Sequence, residues 1–195
     1  MSEVLAIAAQ FQAQAWKVLG ELDVVGAWSA IGAEVHLVGS LQTGLLIGHR
    51  DIDFHIYTDP FSLSGSFIAM ARLAANPGLR AIRYRNLLHA EDRSVDWHAF
   101  YHDAQGDEWQ VDMIHLCPDS PYVGYFERVA ERIAALLTPE TREAILAIKY
   151  AIPQEERVKA VEVYRAVIEG GVRDEQAFWA WRQDHAQEGI ITWMP

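Results

Sequence analysis

Residues 38–57, VGSLQTGLLIGHRDIDFHIY, decide the fold. The apolar-leaning residues 35–38 suit a short strand that stops at Gly39, where a backbone can approach a ligand with no side chain between them. Ser40 then places a hydroxyl at the start of a short helix, predicted over residues 41–46. Free N–H groups and the dipole at a helix start favour phosphate, so Gly39 and Ser40 form a candidate grip on a nucleoside triphosphate. The next predicted strand, residues 52–57, opens with Asp51 and Asp53. Residues two apart on a strand share a face, so both carboxylates point the same way and suit Mg²⁺ or Mn²⁺. A pair of ions roughly 3.5–4 Å apart, clamping the attacking and leaving oxygens of a displacement, requires a further acid from a neighbouring strand.

The candidate for that third metal ligand is Asp112, within WQVDMIHL (residues 109–116) and after the turn-rich DAQGDE (residues 103–108). Asp96 is its rival, since it alternates with His98 on the strand-like residues 95–101, but Asp96, Trp97 and His98 also fit an ordinary half-exposed strand. A D-x-D pair alone is most often a solvated strand edge; the order Gly-Ser, D-x-D, strand Asp carries the inference. His55 shares the face of Asp51 and Asp53 and either extends the site or, the favoured reading, is a satisfied structural histidine. Arg50 is a candidate for neutralising phosphate, or a surface arginine paired with the acids beside it.

Taken together, Gly39-Ser40, the Asp51/Asp53 pair and Asp112 resemble the nucleotidyltransferase fold of the DNA polymerase β superfamily. The wording of residues 49–53, HRDID, is similar to its small-molecule branch, the lincosamide and aminoglycoside nucleotidyltransferases and their uncharacterised relatives. The resemblance spans roughly residues 35–116. It implies that Gly39 and Ser40 bind phosphate, that Asp51 and Asp53 hold metal, and that Asp112 is both third acid and base. The catalytic set is then Asp51, Asp53 and Asp112, and the nucleotide-binding set Gly39, Ser40 and Arg50.

Composition narrows the partners. With 16 Lys plus Arg against 27 Asp plus Glu, the formal charge of −11 opposes binding to the backbone of long nucleic acid and favours a small acceptor. A single cysteine, Cys117, excludes an intrachain disulfide and fits a reducing, cytoplasmic setting. Neither a signal peptide nor a membrane-length apolar run is evident, so no membrane partner is expected. A homodimer is compatible with this reading.

Elsewhere the chain reads as helices at residues 3–19 (ending near Gly20), 24–31 and 62–75. Strands follow at 79–88, 95–101 and 109–116, the last two joined as a hairpin. After a linker at 118–121 the pattern turns helical: 123–136, a helix started by Thr138-Pro139-Glu140, one started by Pro153 and running to residue 168, and one at 174–185. Phe178, Trp179 and Trp181 read as core in preference to a platform for a nucleobase or acceptor ring, and Lys149, Arg157 and Lys159 as cations that either reach a triphosphate or face solvent. The expected fold class is α+β: a nucleotidyltransferase-type mixed sheet with flanking helices over residues 1–117, then a helical domain over residues 118–195. The expected activity is transfer of a nucleoside monophosphate from an NTP, with ATP the expected donor, to a hydroxyl of a small molecule. A non-catalytic nucleotide and metal module, or a metal-dependent phosphohydrolase, are the alternatives.

Overall fold

Three runs in which apolar and polar residues alternate, DIDFHIY, SVDWHAFYH and EWQVDMIHL, form the middle of a five-stranded sheet. The computed structural model describes residues 2–153, 155–187 and 189–195. Its first half contains α1 (Glu3–Leu22), α2 (Val24–Ser29), β1 (Glu34–Val38), α3 (Gly39–Gln42), β2 (Asp51–Tyr57), α4 (Leu63–Leu73), β3 (Leu79–Leu87), β4 (Ser94–His102) and β5 (Glu108–Leu116). Its second half is helical: α5 (Tyr125–Leu136), α6 (Pro139–Ala151), α7 (Ala160–Ile168) and α8 (Glu175–His185). The class is α+β, as the sequence predicts.

The strand order is β1-β2-β5-β4-β3, with β2 and β5 parallel and the other pairs antiparallel. A parallel pair needs a long crossover, and here α4, β3 and β4 supply it. Alternation then gives the sheet two unlike faces. Ile52, Phe54, Trp97, Val111 and Met113 point to a core shared with α2, α4 and the second half of α1. Asp51, Asp53, His98, Gln110 and Asp112 occupy the other face.

A second apolar cluster joins Leu45 and Ile47 to the helices, including Ile145, Ile148, Val163 and Phe178. Helix α1 contributes to both clusters, with Ala8 in the second and Ala15 and Val18 in the first. From between them Gln12 donates to the carbonyls of Gly44 (3.0 Å) and Leu46 (3.3 Å), so α1 tethers the segment between α3 and β2.

Most element boundaries shift by a residue or two from the sequence reading, and three elements depart further, each for a local reason. Helix α1 runs past Gly20 and stops at Asp23, which adopts a left-handed conformation (φ 52°) and caps α2 by accepting from the Gly26 N–H. The helix expected over residues 41–46 is one turn, α3, over four residues. Thr43 donates back to the Gly39 and Ser40 carbonyls, both at 3.2 Å, and Gly44 turns left-handed (φ 68°), while Leu45 is drawn into the helical cluster. Pro153 starts no helix, and α7 begins at Ala160. Ile152 closes α6 in an extended conformation (ψ 125°), as a residue before proline prefers, and Glu162 caps α7 by accepting from the Lys159 N–H at 2.8 Å.

Candidate active site

Strand register brings the three predicted acids together. Asp53 on β2 is the direct neighbour of Asp112 on β5, and Asp51 shares their face one pleat away, beside Gln110. Neighbouring strands lie about 4.8 Å apart, which places Asp53 and Asp112 side by side. Burial is the main reason the Asp53 carboxyl is pushed up to about 8; the charges of Asp51 and Asp112 push the same way and the Lys149 ammonium opposes them.

The remaining groups are set by α3 and the helices. Gly39 sits at φ 68°, and a Cβ there would collide with the Asp53 carboxylate, so glycine is required for the turn and for the close approach. Ser40 does not present a free hydroxyl. Its Oγ lies 2.9 Å from the Tyr164 hydroxyl and accepts from Lys149 Nζ at 3.0 Å; the same ammonium donates to the Leu45 carbonyl at 2.8 Å. Because α3 is a single turn, its dipole is slight, and the buried Lys149 is the main fixed positive charge on this side of the acids.

Asp112 is held from two directions. Gln110 Nε2 donates to both of its oxygens (2.9 and 3.0 Å), and His98 Nδ1, the cross-strand neighbour on β4, lies 2.7 Å from one of them. The hydrogen bond to Asp112 is the main reason the His98 imidazole titrates above the ordinary histidine range. Asp96 faces the same way but lies opposite Ile114, with β5 between it and β2; its carboxylate accepts from Ser94 Oγ at 2.8 Å. Asp112 is therefore the acid adjacent to Asp53. Arg50, expected beside phosphate, turns to Asp107 (2.8 Å) and over the Phe11 ring (5.4 Å), so its charge is already matched. His55 is buried against Glu127 (3.3 Å).

Two hollows meet at Ser40 and Asp51. One, of about 240 Å³, has Gly39 and Asp53 at one end and Phe126, Val129, Val161 and Trp193 at the other. The second, of about 170 Å³, reaches Lys149 and His49. A recess with an apolar wall, adjoining a polar one with a cation and carboxylates, has the makings of a nucleotide site.

The donor set also fits a divalent ion, because aspartate oxygens on one sheet face suit Mg²⁺, which keeps several waters and takes one or two carboxylates together with phosphate oxygens. Among the described residues no three His, Cys, Asp or Glu side chains already form a metal cage. Asp112 accepts from Gln110 and His98, and its Oδ2, bonded by Gln110 alone, keeps a lone pair for a cation.

Sequence reading did not assign roles to His98, Gln110 and Tyr164. A signal for one of them was present, since Gln110 is two residues from Asp112 on one strand; counting back equally from the turn read at residues 103–108 sets His98 against Met113, one residue away from the observed pairing with Asp112.

Comparison with solved structures places the fold. The poly(A) polymerase complex of GLD-2 with GLD-3 superposes with a TM-score of 0.57 at 11% identity over 86% of this chain and 58% of that one. The GLD-2/RNP-8 complex gives 0.57 at 11% identity over 85% and 60%. Cid1, described by its RNA terminal uridylyl transferase activity, gives 0.49 at 18% identity over 73% and 46%. The five-stranded mixed sheet with flanking helices is thus a nucleotidyltransferase-type fold. The chain spans about 58–60% of the length of the two GLD-2 structures. No protein-family model and no curated protein matches the chain. Among the described residues no helix is long and apolar enough to cross a membrane.

Proposed function

We propose that the chain transfers a nucleoside monophosphate from an NTP, with ATP the expected donor, to a hydroxyl of a small-molecule acceptor. The observation that carries this reading is the register of Asp53 with Asp112, with Asp51 on the same face, opposite a Gly39-Ser40 turn backed by Lys149.

Lys149 and the α3 backbone hold the triphosphate, and the apolar end of the larger hollow, including Phe126, takes the base. Asp51, Asp53 and Asp112 would hold Mg²⁺ or Mn²⁺, which when bound would supply charge neutralisation for the phosphates. Asp112 accepts the proton of the acceptor hydroxyl. That oxygen bonds to the α-phosphorus, the bond to the bridging oxygen of the β-phosphate breaks, and pyrophosphate leaves. Positioning and electrostatics provide most of the acceleration in such chemistry. In this reading residues 1–117 carry the acids and residues 118–195 supply Lys149 and the cover.

A second reading takes an RNA 3′ end as acceptor, because the similar structures include poly(A) polymerase complexes. The net charge of −11 favours the small acceptor. Mass spectrometry after incubation with ATP, Mg²⁺ and either a metabolite library or short RNA tests both. The proposal expects an acceptor heavier by one nucleoside monophosphate, with matching pyrophosphate. Free nucleotide or phosphate with no adduct would identify a phosphohydrolase, and metal-dependent binding without any product would identify a binding module.

A further inference from the structure

The sheet face that bears the carboxylates continues beyond them. In one row across four strands, Asp53 on β2 neighbours Asp112 on β5, Asp112 neighbours His98 on β4, and His98 neighbours Arg83 on the edge strand β3. Arg85 follows two residues later and shares that face, opposite Asp96. Tyr84 points the other way, packing on Phe67 and Trp97 with ring centres 5.2 and 4.8 Å away. Arg83, Arg85, His98, Phe100 and Gln110 line a shallow concavity of about 510 Å³.

The two guanidiniums there are exposed, and neither has a hydrogen bond or ion pair among the described residues. Arg83 lies over the Phe100 ring, 4.5 Å from its centre, which fixes its direction. Arg50 and Arg182, by contrast, are each engaged with a carboxylate. The acid nearest Arg85, Asp96, is buried and accepts from Ser94; burial raises its pKa, and the Arg85 charge opposes that without a hydrogen bond between them. In a chain with a net charge of −11, a pair of exposed arginines without a carboxylate in ion-pair contact, on the face of the candidate catalytic acids, selects for an anion.

We propose that this concavity is the acceptor subsite and that it takes a phosphorylated acceptor, with Arg83 and Arg85 holding the phosphate while a hydroxyl of the same molecule reaches Asp112. From β3 to β5 is two strand spacings, about 10 Å, a separation that arginine side chains shorten to the reach of a sugar phosphate. Lys149 and Ser40 lie beyond Asp53 on the opposite side of the row, so donor and acceptor approach from opposite directions, as an in-line displacement requires. The proposal deepens the nucleotidyl-transfer reading and rests on it. Its phosphate comes either from a small phosphate ester or from the terminal phosphodiester of an RNA strand.

The test is equilibrium titration of the full chain in Mg²⁺, saturated with an ATP analogue carrying methylene between its α and β phosphates. Ribose 5-phosphate and a short oligoadenylate serve as probes, against wild type and Arg83→Gln/Arg85→Gln. At least one probe is expected to bind wild type and to lose at least about tenfold in affinity in the variant, as two charge-assisted partners are removed. Loss confined to ribose 5-phosphate identifies a small acceptor, and loss confined to the oligoadenylate identifies an RNA end. The affinity of the ATP analogue should stay within about twofold, since both arginines lie away from Lys149. Equal affinities in wild type and variant, or no binding of either probe at concentrations on the order of millimolar, overturn the proposal. Failure of the ATP analogue itself to bind wild type would instead sink the nucleotide reading, and the two probes titrated alone would still decide whether the arginines hold phosphate.

Discussion

Replacing Asp53 by Asn should make the metal-free protein less sensitive to alkali. In the folded chain burial and the neighbouring carboxylates push the Asp53 carboxyl up to about 8, from a reference of 3.8. A raised carboxyl pKa means that the folded state binds the proton more tightly than the unfolded state. The associated stability is complete below the unfolded value and is lost as pH rises through the folded one. His98, also raised, adds loss of the same sign above its ordinary range, whereas His115, lowered to about 4 by burial, costs stability only as pH falls below its reference of 6.5 and adds nothing above it. Between pH 6.5 and 8 the slope from Asp53 approaches 1.4 kcal/mol per unit, or about 2 kcal/mol over the interval. For a chain of this size that corresponds to roughly 4–8 °C in Tm. Thermal melts in EDTA across this interval should show wild type losing about that much and Asp53→Asn losing only the smaller share due to His98. At pH 8 the variant should melt above metal-free wild type, yet gain nothing when Mg²⁺ and ATP are added. Equal slopes in the two proteins, or a wild type whose stability rises over the interval, would refute the electrostatic account of the site.

Gly39→Ala should cost about 1–3 kcal/mol of stability in chemical denaturation, from the positive φ and the collision with Asp53 together, and should weaken Mg·ATP binding; an unchanged midpoint would show that the turn relaxes freely. Lys149→Met should leave Ser40 and the Leu45 carbonyl short of a donor, lowering stability by about 1–3 kcal/mol and ATP affinity by about tenfold, both measurable by calorimetry; a variant that binds ATP as wild type does would remove Lys149 from the phosphate site. Asp112→Asn should reduce turnover by at least about 10²-fold in a product assay, whereas Asp96→Asn retains most of it; the reverse ranking would assign the third acid to β4.

The strands were legible because each carries two faces in its own sequence. The alternation in residues 51–57 and 108–116, together with a turn held by Asp103, places β2, β4 and β5 within a residue or two of where they lie. Asp51 and Asp53 could be put on one face from spacing alone, but the hairpin count from residues 103–108 misses the pairing of His98 with Asp112 by one residue, because the turn closes at Asp107. What spacing could not show was the pairing of β2 with β5, because parallel partners are brought together by a crossover that has no local signature. Nor could it show that Lys149 reaches Ser40 across a sequence separation of 109 residues, a contact made only when α6 packs beside the α3 turn. The short α3 and late α7 were missed for a different reason. Thr43 and Glu162 bond back to the backbone within a turn, and such side-chain contacts override apolar periodicity.

The most direct measurement of the central claim is the affinity of the chain for ATP with Mg²⁺ and again in EDTA, read as a shift in Tm at fixed protein concentration. The account predicts that ATP at about 100 times its Kd with Mg²⁺ adds about 2.7 kcal/mol, or roughly 5–10 °C, and that most of this disappears in EDTA. Equal shifts in the two conditions across the titration would contradict a site in which Asp51, Asp53 and Asp112 hold metal against the triphosphate.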